Sequence, residues 1–331
     1  MQLTVLVFMA AALLGAPETV TSLAPAPTTI GMYTNYWHGW ARDDAPVDCV
    51  LIPVAAYQEG KWQPSAFFAM EIPGGPNVLA ETFRPEQEAF LDVLMTQTFY
   101  LCSNLATTFT PEKKKIPWKV EQQYIGLAGT VKGNLDVEDK YFDLPMTNVP
   151  DVIIPLEKAS LSVKEKALLA DRAKELISAE VIERESEIPK DKERPAFQPE
   201  RYDPPEYVHL LKFKLPNDRE GLWVHATMAY PFKEGPEEFG FFKRSYWCGY
   251  YHALVERGGE KSEDKILWEY ASFIGRETES RYYDLKGVFD ADKDDKPEFL
   301  FDVGGWEYGE YMLVHAENWE LVKVSSLFGA L

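Results

Sequence analysis

Cysteine is scarce: three residues in 331, too few for a disulfide framework. Basic side chains are also in deficit. Lys and Arg total 34 against 53 Asp and Glu, a formal charge of −19. A chain this acidic offers no broad basic face, so nucleic acid is not an expected partner, nor is an anionic membrane surface. Histidine numbers only five, and the five are scattered. Familiar catalytic signatures are missing too. There is no G-x-S-x-G elbow, no phosphate-cradling G-x-x-x-x-G-K-[ST] and no G-x-G-x-x-G. There is no H-E-x-x-H; His252 and Glu256 have helical spacing but lie in a strand-like segment. What is present is apolar material, 46% of the chain, enough to build real cores and to exclude wholesale disorder.

Leu3 to Ala16 is the one sustained apolar run. It is too short to span a bilayer and fits the core of a signal peptide, with Ser22 and Ala24 as the small residues before a cleavage site. Residues 1–24 are therefore expected to be a signal peptide, although no Lys or Arg precedes Arg42 to supply its usual basic start. The protein is expected to be secreted or periplasmic, with no transmembrane anchor after cleavage. In an exported chain Cys49 and Cys102, both in strand-like segments, are either a disulfide or two buried thiols, and Cys248 is left over.

The pattern along the chain is mainly β, with antiparallel sheets in two domains joined by one amphipathic helix and a proline-rich connector. Residues 30–156 read as a β-rich N-terminal domain. Val50 to Tyr57 is apolar and strand-like, Gln58-Glu59-Gly60-Lys61 is a turn, and Trp62 begins the return. Pro85 is placed to open a short helix. Residues 157–206 hold the helix and the connector. Ser162 and Glu165 have capping-box spacing ahead of a helix over Val163–Arg184, with Leu169, Ala173, Leu176 and Ile177 on one stripe. Five prolines between Pro189 and Pro205 then deny both helix and ladder bonds. Residues 207–331 alternate as strand after strand, joined by connections short enough for antiparallel neighbours.

The sharpest motif is Asp290-Ala291-Asp292-Lys293-Asp294-Asp295-Lys296-Pro297-Glu298. Calcium wants several hard oxygens around one point, and alternating aspartates in a tight loop put theirs on the inner side. The expected ligands are the carboxylates of Asp290, Asp292, Asp294 and Glu298 and the backbone carbonyl of Lys296, with Glu307 as a further candidate. Phe301 stands where an EF-hand needs its closing Glu, and the flanks are strand-like, so an EF-hand is excluded. The segment Gly287 to Leu300 resembles the D-x-D-x-D-G-x-x-D/E calcium loop of FG-GAP and VCBS-type repeats. That resemblance implies a strand–loop–strand Ca²⁺ site in an exported protein. It covers about 40 residues, and Asp295 stands where those repeats usually carry Gly. Aspartate tolerates the left-handed backbone better than most residues.

Nine Trp and 17 Tyr complete the picture. Tyr33, Tyr36, Trp37 and Trp40 cluster in one place, and Tyr246, Trp247, Tyr250 and Tyr251 in another. Such rings either stack on sugars and partner proteins or fill β-sheet cores. The functional expectation is an exported, non-enzymatic protein with a calcium-stabilised β module that binds a protein or a glycan. The rival expectation is a secreted carbohydrate-active hydrolase using two carboxylates.

Overall fold

The computed structural model describes residues 26–35, 49–70, 82–116, 118–119, 122–135, 144–184, 205–231, 246–258, 264–274, 282–304, 309–317 and 320–329. The expected signal peptide, most of the proline-rich connector, the Tyr36–Trp40 cluster and Glu307 lie outside them. Among the described residues no helix is long and apolar enough to cross a membrane.

The first half supplies β1 (Thr28–Asn35), β2 (Cys49–Gln58), β3 (Lys61–Trp62), β4 (Ala69–Met70), α1 (Pro85–Leu94), β5 (Phe99–Leu101), β6 (Asn104–Lys115), β7 (Trp118–Lys119), β8 (Gln122–Tyr124), β9 (Gly126–Lys132) and β10 (Leu144–Thr147). Six of these strands follow one another as β1-β10-β5-β6-β9-β2, and β1 pairs again with β2. The sheet thus closes on itself as an antiparallel barrel, which removes its free edges. Its strands are rich in buried residues, among them Ile30, Met32, Leu51, Val54, Phe99, Phe109 and Leu127. The helix α1, opened by Pro85 as expected, adds Phe90, Leu91 and Leu94 to the same core. The turn between β2 and β3 has positive φ at both central residues, Glu59 (54°) and Gly60 (79°), and Tyr57 stands opposite Trp62. Cys102 is a free thiol packed against this core.

The second half supplies β11 (Ile153–Ile154), β12 (Glu157–Lys158), α2 (Val163–Arg184), β13 (Glu206–Leu215), β14 (Arg219–Pro231), β15 (Tyr246–Arg257), β16 (Lys265–Ile274), β17 (Tyr282–Phe289), β18 (Glu298–Gly304), β19 (Gly309–Glu317) and β20 (Glu320–Gly329). They form two antiparallel five-stranded sheets, β12-β13-β14-β15-β16 and β11-β17-β18-β19-β20. The short strands β11 and β12 therefore carry the chain out of the barrel and into the edge of each later sheet. β4, β8 and β7 make a small three-stranded sheet.

These parts stack in layers. Phe289, Leu300 and Leu313 join the barrel core from the β11–β20 sheet. From the other face of that sheet, Leu285, Phe299, Phe301 and Val314 meet Phe213, Trp223 and Leu254 of the β12–β16 sheet. Leu222, Val224 and Met228 point the opposite way and are covered by Leu169, Ala173 and Ile177 of α2, which is the helical stripe the sequence shows. Gly249 permits this contact, because a Cβ there would sit 2.6 Å from the Ile177 Cδ1. The N-terminus of α2 is capped reciprocally. Ser162 N–H donates to Glu165 Oε2 at 2.6 Å, and Glu165 N–H donates to Ser162 Oγ at 3.2 Å. Arg257 of β15 then pairs with Glu165 at 2.8 Å and Glu220 at 2.7 Å, fixing helix to sheet.

Candidate metal centre

The acidic loop joins β17 to β18, the strand–loop–strand arrangement expected from its flanks. Phe289 and Glu298 are cross-strand partners that close the loop at its base. Inside it, Asp294 N–H donates to Asp292 Oδ1 at 3.3 Å and Lys296 N–H donates to Asp294 Oδ1 at 2.8 Å. Such short-range bonds let aspartates fold a tight turn without glycine. Lys293 (φ 59°) and Asp295 (φ 62°) take up the left-handed conformation, so Asp295 adopts the backbone that glycine usually supplies at its position in the repeats it resembles. Asp290 N–H donates to the Val152 carbonyl at 2.9 Å and so ties the loop to the turn of residues Pro150–Val152 just before β11.

Asp292, Asp294 and Glu298 converge, and His315 joins them. One ligating atom from each lies within 4.8 Å of the others, so the four can hold a metal ion. Ligands on opposite sides of a calcium ion stand about 5 Å apart at its usual bond lengths. Glu298 is fully buried. Its Oε2 accepts the Ala291 N–H at 2.7 Å, and its Oε1 lies 2.9 Å from His315 Nδ1. His315 Nε2 is 3.9 Å from Asp294 Oδ2.

The electrostatics are those of crowded anions. Burial, followed by the charges of Asp292, Asp290 and Asp294, pushes the Glu298 carboxyl up to about 8. Burial and then Asp294 raise Asp292. Burial and then Asp295 and Asp294 raise Asp290. For Asp294 burial also acts upward, but the Lys296 N–H and ammonium and the nearby His315 outweigh it and hold this carboxyl below its ordinary value. The ammonium of Lys296 stands 3.3 Å from Asp294.

Of the five expected ligands, three therefore meet at one point. Asp290 is not in the group of four, yet its Oδ1 is buried without a hydrogen-bond partner, the condition of an oxygen placed for a cation. For Lys296 the structure gives the N–H and ammonium contacts to Asp294 rather than a role for its carbonyl. His315 escaped the sequence reading because it is distant along the chain. It faces Glu298 directly across the β18–β19 pair. The signal lay in the register, since pairing Gly304 with Gly309 puts residue 315 opposite 298.

The aromatic residues that are described serve mainly as core. Tyr33 and Tyr251 are buried, and Tyr250 packs on His225, His252 and Tyr282. A hollow of about 550 Å³ between α2 and β16 is lined by Leu168, Arg172, Trp268 and Glu269, among others. Its Glu269 carboxylate is already engaged by the Arg172 guanidinium, including Nε at 3.3 Å, and by the Tyr251 hydroxyl at 3.3 Å. Compared with known proteins, the chain matches no family model, and no curated protein or solved structure is significantly similar to it.

Proposed function

We propose that the β17–β18 loop binds Ca²⁺ and that the ion stabilises the C-terminal strands of an exported, non-enzymatic protein whose surface takes up a protein or a glycan. The observation that carries the metal reading is the convergence of Asp292, Asp294, Glu298 and His315 within 4.8 Å. Calcium is favoured among divalent ions because oxygens dominate the set and the aspartates alternate through a flexible loop. Asp292, Asp294 and Glu298 are the carboxylate ligands in this reading. The buried Oδ1 of Asp290 and the Lys296 carbonyl fill out the shell. His315, bonded to Glu298 through Nδ1, orients that carboxylate from behind.

The wider role rests on the apolar N-terminal run and the net charge of −19. The hydrolase alternative needs two carboxylates available to a sugar, and the Glu269 carboxylate in the hollow beside α2 is held by Arg172. Turnover of a polysaccharide by the full chain would move the assignment to that alternative.

The metal reading is tested by melting the protein in calcium and in chelator, for wild type and Asp292→Ala. Calcium at 100 times its dissociation constant should add about 2.7 kcal/mol to wild type. Magnesium should add much less, because it sheds water reluctantly. The substitution should remove most of the calcium response. Identical wild-type curves in calcium and chelator would sink the site. A response to zinc or manganese without one to calcium would keep the site and overturn the choice of ion.

A further inference from the structure

Three of the five histidines stand in a row. His209 on β13 is the cross-strand partner of His225 on β14, and His225 is the partner of His252 on β15. Their rings touch in sequence, with centroids 5.8 Å and 4.6 Å apart. The row runs from solvent into the layer between the two five-stranded sheets. His209 is exposed, His225 is 7% exposed and His252 is fully buried.

The inner two have almost no polar partners. Both ring nitrogens of His225 are buried without a hydrogen bond, and so is Nδ1 of His252. The remaining nitrogen, His252 Nε2, accepts the backbone N–H of Tyr283 on β17 at 3.2 Å. That bond requires Nε2 to be unprotonated, so it fixes His252 as a neutral ring. It also links the β12–β16 sheet to the β11–β20 sheet. Around the pair lie aromatic groups: Trp223 at 5.7 Å, Tyr270 at 6.3 Å and Tyr283 at 5.6 Å from His252, with Tyr250 at 5.9 Å from His225.

The charged groups that face the row are on its outer side. Asp284 of β17 pairs with His209 at 3.0 Å and with Lys286 at 2.7 Å, and Lys286 stands 3.7 Å from Asp302 of β18. Among the described residues the remaining titratable neighbours of the pair are His209 on β13, Tyr250 on β15, Tyr270 on β16 and Tyr283 on β17. Asp284 is thus already engaged by the His209 ring and the Lys286 ammonium, and no carboxylate forms an ion pair with His225 or His252 among the described residues. A proton on either ring would be a buried charge beside a second imidazole, and on His252 Nε2 it would break the bond to β17.

We propose that His225 and His252 form an acid-sensitive latch between the two five-stranded sheets, closed while both rings are neutral and released when they take up protons. Burial holds His225 down at about 4, with His209 adding to the effect and Asp284 opposing it. Burial, then His225, holds His252 well below its ordinary value. The folded state therefore binds fewer protons than the open state, from the ordinary histidine value of about 6.5 downward. The stabilisation is complete above that value and is lost as pH falls toward 4. Each ring should multiply the opening constant by up to about tenfold per pH unit.

The test uses the full chain in chelator, so that the acidic loop binds no metal, and follows urea unfolding by tryptophan fluorescence from pH 7.5 to 5. The unfolding constant of wild type should climb across this window, by less than the two rings alone would give, because the Glu298 carboxyl, pushed up to about 8, holds its proton better in the folded state. His225→Phe should climb less steeply, and His209→Asn, at the exposed end of the row, should follow wild type. Acid should also lower the protection factor of the Tyr283 amide, its exchange corrected for the intrinsic slowing of amide exchange in acid, ahead of those of the barrel amides. Ring NMR of the wild type reads the titration with no substitution at all. A His225 midpoint at or above 6.5, or equal pH slopes for wild type and His225→Phe, overturns the latch.

Discussion

At Glu59 the backbone asks for something the side chain does not supply. Both central residues of the β2–β3 turn have positive φ, the geometry of the tight hairpin turns that favour Asn-Gly. Gly60 adopts it at no steric cost, whereas Glu59 is an exposed residue held left-handed against its preference. Asn bears that conformation more easily, so Glu59→Asn should raise stability by about 0.5–1 kcal/mol. A denaturant midpoint at or below the wild-type value would show that the turn is not strained at this position. The acidic loop has the same feature at Lys293 and Asp295. There the aspartate spacing marked a cluster that could hold a metal ion, because alternating carboxylates in a tight loop put their oxygens on its inner side. His315 was hidden for a physical reason: a cross-strand neighbour is set by register, and register belongs to the pair of strands rather than to either one.

At the scale of elements, α2 was the most legible part of the chain. Its start and its buried stripe follow from Ser162, Glu165 and the spacing of Leu169, Ala173 and Ile177. The two halves of its cap are unequal, which yields an ordered prediction. Ser162→Ala removes one backbone bond at the helix start and should cost about 1 kcal/mol. Glu165→Ala removes the reciprocal bond and also one of the partners of Arg257, which keeps Glu220 and the Ser160 carbonyl. It should therefore cost more than Ser162→Ala. Urea midpoints of the two variants decide the matter, and the reverse order would mean that the ion pair contributes nothing beyond the cap. The later strands were legible for the same reason as α2, since β14 alternates apolar residues from Leu222 to Tyr230. The barrel was not. Its closing contact joins β1 to β2 across residues whose pattern is merely apolar, and β11 and β12 are too short to carry any period. Neither the closure nor the way these two strands thread into both later sheets leaves a local trace.

For the whole molecule the consequence is a shared layer. The β11–β20 sheet is apolar on both faces, and β18 shows how this is done. Leu300 turns to the barrel core, while Phe299 and Phe301 turn to the β12–β16 sheet. Period-two alternation here separates two cores rather than core from solvent. Damage on one face should therefore be felt on the other. Leu300 is fully buried, and Leu300→Ala should cost about 2–5 kcal/mol through lost burial and the cavity left behind. The loss should appear as one cooperative transition at lower temperature, because β18 cannot leave the barrel and keep Phe299 and Phe301 in place. Calorimetry together with tryptophan fluorescence checks this, Trp223 lying in the opposite core from the substitution. Two separate transitions, with only the barrel weakened, would show that the layers fold independently. Leu300 is not among the residues that converge at the acidic loop. The variant should therefore retain the calcium response proposed above, so a lowered midpoint that still rises with calcium identifies lost packing rather than a lost ion.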